Sequence, residues 1–167
     1  MSTVNDSGDL NMVSIINTLL KIIKYDYDKM KTEKNFSLLN SGEKISKADL
    51  EEKFKSAGIE HIHFLDSEYN ILSHKGLRVF LDESLTSMRK YISEKHDCDN
   101  YTFSLFGDIQ KCGNFSISGS VGDIESVNGK HAFMIALTDS GLFIVEPQNN
   151  KMRLVELELI KHDYGIC

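Results

Sequence analysis

The chain has 167 residues and a formal net charge of −6, from 19 Lys and Arg against 25 Asp and Glu. That balance excludes a general polyanion binder, because nucleic-acid affinity is carried mainly by basic side chains that neutralise phosphates. With 41% hydrophobic and 26% charged residues the composition is globular, and a chain this long buries about 70% of its unfolded surface without a disulfide or metal staple.

The longest apolar run extends only from Ala132 to Leu137, far short of the ~20 residues of a spanning helix, so no membrane partner is expected. The opening residues MSTVNDSGDL hold Asp6 and Asp9 and no basic residue, so no secretory leader is expected. Three cysteines (Cys98, Cys112 and Cys167) are an odd count. Free thiols in a reducing, cytoplasmic setting are the expectation.

Pro147 is the only proline, and no repeat or Gly/Ser-rich linker interrupts the chain. A single domain over 1–167 is expected, with residues 1–60 as a helical N-terminal extension. Ser7 or Asp9 can cap a first helix to about Lys31, since Leu10, Val13, Ile16, Leu20, Ile23 and Tyr27 recur at three and four. Thr32 to Lys44 reads as loop. Ser46 followed by Asp49 predicts a helix start, Leu50, Phe54 and Ala57 its buried stripe, and Gly58 its stop. Ile59 to Leu65 reads as a short strand. Leu85, Met88, Tyr91 and Ile92 predict a third helix over Asp82 to His96.

Cys98, Tyr101, Thr102, Leu105, Phe106 and Ile109 form one helical face, with Asp97 as N-cap and Cys98 at the first helical position. After Gly113 the period changes to two. Phe115 to Val121, His131 to Leu137, Leu142 to Glu146 and Met152 to Leu157 predict an antiparallel meander. Helices first and strands last make the fold class α+β.

A cysteine at a helix N-terminus is a candidate nucleophile, because the unpaired N–H groups and the macrodipole favour its thiolate. Asp97 and Asp99 oppose this, so an imidazolium or a bound cation must offset them. His131 opens an apolar strand. A two-residue turn at Asp139-Ser140 pairs it with Gln148 and puts Glu146 diagonally across on the same face. The carboxylate would orient one ring nitrogen and leave the other for the thiol. The bland alternatives are a buried cysteine, a structural histidine and a solvated glutamate. His61-Ile62-His63 has the spacing of a two-histidine metal site, without a third ligand. Cys112 reads as packing near the helix end.

Asp97-Cys98-Asp99-Asn100-Tyr101, then Gly129-Lys130-His131-Ala132-Phe133, then Val145-Glu146-Pro147-Gln148 resemble the papain-like cysteine protease domain at the C-terminus of the Marasmius oreades agglutinin, a mushroom lectin, and related bacteriophage-encoded domains. The resemblance covers about 65–157, with Lys130 standing where glycine is expected before the histidine. It implies a papain-like core in which a Cys-bearing helix packs on an antiparallel sheet. It also implies a Cys98–His131–Glu146 triad and a hydrolase (peptidase or amidase) acting on peptide or protein. Calcium dependence in the mushroom domain makes Ca²⁺ a possible cofactor, with Asp99 and Asn100 as candidate ligands. The alternative function is a non-catalytic binding protein on the same scaffold, such as a viral or phage factor that blocks a host protein.

Overall fold

A computed structural model describes residues 7–93, 95–124, 130–154 and 160–166. The chain divides into two units, Met1–Lys34 and Asn35–Cys167. Helix α1, Ser7–Leu39, supplies the first unit, and its last residues enter the second. From Met12 to Met30 its apolar side chains are exposed. The expected loop from Thr32 is instead helix to Leu39 and then strand β1, Asn40–Ser46. The physical reason is tertiary. Leu39 is fully buried, and Phe36 packs on the same core, so burial outweighs the weak helix propensity of Asn35 and Ser37.

Helix α2, Lys47–Ser56, begins and ends where the sequence predicts. Ser46 Oγ accepts from Asp49 N at 3.2 Å, Leu50 and Phe54 are buried, and Gly58 takes φ +74° just beyond the C-cap. Strand β2 covers only Ile62–His63, shorter than expected. Strand β3, Glu68–Leu72, and helix α3, His74–Glu83, follow. Gly76 is obligatory in α3, because a Cβ there would lie 1.8 Å from Leu38 O.

The helix expected over Asp82 to His96 does not form. α3 stops at Ser84, a 3-10 turn spans Thr86–Met88, and Ile92 bridges His96. Leu85, Met88, Tyr91 and Ile92 are exposed rather than buried. Their helical spacing is real, but no core faces them.

Helix α4, Cys98–Gln110, precedes strands β4 (Ile117–Ile124), β5 (Lys130–Thr138), β6 (Gly141–Glu146) and β7 (Lys151–Leu154). These four strands pair in sequence as the expected antiparallel meander. A further strand, β8 (Ile160–Ile166), pairs antiparallel with β4 and parallel with β2. β3 touches β5 in parallel at Leu72↔Thr138, and β1 closes that side. The chain is therefore mixed α+β, with the eight strands of the described residues in one sheet.

β5 is buried on both faces from His131 to Thr138. Phe133, Ile135 and Leu137 join Leu50 and Phe54 of α2 in one core; Met134 and Ala136 join Leu77, Leu81, Leu105 and Ile109 of α3 and α4 in the other. Alternation along one strand thus serves two helical layers, which is why β5 reads as a continuous apolar run. Ser116 stitches the sheet, its Oγ 3.1 Å from Asn70 O and 2.9 Å from Leu137 O.

Candidate active site

Cys98 is the first residue of α4, half-buried, with Asp97 as N-cap. Asp97 N donates to Asn100 Oδ1 at 3.1 Å, and Asn100 N donates to Asp99 Oδ1 at 2.7 Å. The cap satisfies part of the donor set that a helix start leaves unpaired. Asp99 has its carboxyl pKa raised, first by the hydrogen bond with Asp97, then by burial and the Asp97 charge. The Asp97 and Asp99 carboxyls on either side of Cys98 in the chain thus interact with each other.

His131 Nε2 lies 2.5 Å from Glu146 Oε2, with side chains only 10% and 22% exposed. The other carboxylate oxygen accepts Gln148 N at 3.1 Å. Both oxygens are thereby fixed, and the imidazole keeps Nδ1 for another partner. The β5–β6 hairpin carries the register the sequence predicts, with Met134↔Val145 and Thr138↔Gly141. His131 and Glu146 meet beyond the last of these pairs. There β4 still pairs with β5 as Gly122↔His131, whereas the β5–β6 ladder has ended at Met134↔Val145.

α4 runs alongside β5, and two contacts set its level. Near its C-terminus, Gln110 brackets Phe115, with Oε1 accepting Phe115 N at 3.2 Å; the adjacent Ser116 pairs with Leu137. Further back, Phe103 and Phe106 lie against Gly119, which pairs with Met134. Among the described residues no hydrogen bond joins Cys98 to His131. α4 packs on the Met134 and Ala136 face, whereas alternation puts His131 with Phe133 on the other. The structure thus brings His131 and Glu146 together and does not join Cys98 to them among the described residues.

The remaining candidates resolve simply. His61 takes φ +62° and lies outside β2, so the period-two reading of His61 and His63 fails locally. Cys112 Sγ donates to Asp108 O at 3.3 Å and packs on the α3–α4 core. Cys167 lies outside the described residues. Asp99 Oδ1 and Asn100 Oδ1 are engaged in the α4 cap. No group of three or more His, Cys, Asp or Glu side chains suited to a metal occurs among the described residues. Asp99 and Asn100 together would supply only part of the six to eight oxygen ligands that calcium takes, and each already gives one side-chain oxygen to the cap. No described helix is long and apolar enough to cross a membrane.

The sequence matches no protein-family model and no curated protein. Solved structures do share its fold. A PSL1a–E64 complex superposes with a TM-score of 0.63 at 17% identity, over 74% of this chain and 51% of that one. Polyporus squamosus lectin, bound to the human-type influenza-binding epitope Neu5Aca2-6Galb1-4GlcNAc, gives 0.62 at 16% identity, over 74% and 49%. The chain spans about half the length of each, and what is shared at such identity is the fold.

Proposed function

We propose that the second unit is a papain-like cysteine hydrolase, a peptidase or amidase using Cys98, His131 and Glu146. The observation that carries this reading is the buried His131–Glu146 pair at 2.5 Å, with Nδ1 left free of it. Support comes from Cys98 at the start of α4, from the three motifs in chain order, and from a fold shared with the PSL1a–E64 complex.

In this mechanism His131 Nδ1 takes the Cys98 thiol proton, and the thiolate sulfur attacks the carbonyl carbon of an amide. The oxyanion accepts from the Cys98 backbone N–H at the α4 start. The C–N bond then breaks, and His131 gives its proton to the leaving amine. Water, deprotonated by His131, cleaves the thioester, releasing the acid and restoring the thiol. Glu146 stabilises the imidazolium and fixes its ring. The reading requires the Cys98 sulfur to come within hydrogen-bond reach of Nδ1 when substrate is bound, although α4 packs on the face of β5 opposite to the one His131 shares with Phe133. Peptide or protein is the substrate class proposed.

A second reading is a non-catalytic binding protein on the same scaffold. It draws on the absence of a Cys98–His131 bond among the described residues, and on the sugar epitope named for the lectin neighbour. Incubation with E64, followed by intact and peptide mass spectrometry, separates the two. The hydrolase reading expects one adduct, on Cys98, absent in Cys98→Ser. No adduct on a folded wild-type chain would favour the binding protein.

A further inference from the structure

We propose that residues 12–30 of α1 join three or four copies of this chain into a parallel helical bundle. Val13, Ile16, Leu20, Ile23, Tyr27 and Met30 recur at alternating three and four with no break. This is the seam of a coiled coil, with Val13, Leu20 and Tyr27 at a and Ile16, Ile23 and Met30 at d. Met12, Ile15, Leu19 and Ile22 form a second seam beside it, at the g and c positions. All of these side chains are exposed. Together they cover an arc of roughly 160°, wider than the stripe a two-stranded coil buries. The polar residues Ser14, Asn17, Thr18, Lys21 and Lys24 occupy the opposite side.

Two details choose the occupant. Leu20 at a between Ile16 and Ile23 at d shifts preference from two strands to three or four. Where the second seam ends, Asp26 stands at g and Lys31 at the next e. In a parallel, in-register bundle these positions face each other between neighbouring copies, and their charges are opposite. A second copy of the chain is therefore the partner that this face fits.

Sedimentation equilibrium of the full chain, from micromolar to hundreds of micromolar, tests this. The expected mass is three or four times 18.9 kDa. Leu20→Asp should give a monomer whose second unit keeps its urea midpoint. Asp26→Lys should weaken assembly about tenfold, and adding Lys31→Asp should restore it, since each exposed pair contributes modestly but recurs between every two neighbours. A monomeric wild type would overturn the proposal. So would a monomer that floats with anionic phosphatidylglycerol vesicles, which would assign the face to lipid. An assembly indifferent to Asp26→Lys would overturn the parallel arrangement.

Discussion

Replacing Glu146 by alanine tests whether the His131 contact is an organised pair or a surface coincidence. The side chain accepts two bonds, from Gln148 N at 3.1 Å and with His131 Nε2 at 2.5 Å. A charge-assisted bond contributes about 1.5–3 kcal/mol and a neutral one about 1 kcal/mol, and a donor left buried adds to the loss. The expected cost is about 3 kcal/mol, a large share of a typical domain stability of about 5–15 kcal/mol. The chain has no tryptophan, so far-UV circular dichroism in urea is the suitable readout. With a slope of about 2 kcal/mol per molar, the midpoint should fall by about 1.5 M. Glu146→Gln keeps one acceptor oxygen and puts an NH2 group where the other stood, so it should recover only part of that, about half. A fall under about 0.2 M in the alanine variant, the behaviour of a solvated surface glutamate, would refute the reasoning.

Two further outcomes follow from the fold and the α4 cap. Gly76→Ala forces a Cβ to 1.8 Å from Leu38 O, and the backbone shift needed to relieve it should cost about 3 kcal/mol in the same urea assay; an unchanged midpoint would mean that α3 does not pack as described. Asp99 has a raised carboxyl pKa in the folded chain, so its ionised form is disfavoured there above that pKa, and the penalty fades as pH falls toward the unfolded value of 3.8. Asp99→Asn should therefore raise the melting temperature at pH 7, with the gain shrinking toward pH 4. A gain that grows on acidification would reverse the sign and contradict the Asp97–Asp99 contact.

The parts of the fold legible in the sequence are those that local rules decide. Ser46 and Gly58 bracket α2 because a hydroxyl cap and a left-handed stop are chemical requirements of helix ends. Asp97 likewise fixes the start of α4, which puts Cys98 at its first position. The two-residue turn at Asp139-Ser140 sets the β5–β6 register, and with it the shared face of His131 and Glu146. Elements decided by distant partners were hidden. Asn40–Ser46 becomes a strand because β3 lies beside it, and the end of α1 stays helical because Leu39 has a core to enter. The period in Leu85, Met88, Tyr91 and Ile92 misleads because periodicity reports a face, not whether anything covers it. The parallel contact at Leu72↔Thr138 joins segments far apart in the chain, and no turn announces it. For the site, the motif spacing reached the His131–Glu146 pair. The position of Cys98 relative to it depends on how α4 lies on the sheet, which spacing does not encode.

The most direct test of the central claim is the rate of iodoacetamide labelling at Cys98 against pH, read by peptide mass spectrometry with Cys112 as internal reference. The account predicts that Cys98 reacts at least about tenfold faster than Cys112 below the ordinary thiol pKa of about 8.5, and that His131→Ala removes the difference. Equal rates at the two cysteines, unchanged by His131→Ala, would contradict a Cys98–His131 pair and with it the hydrolase.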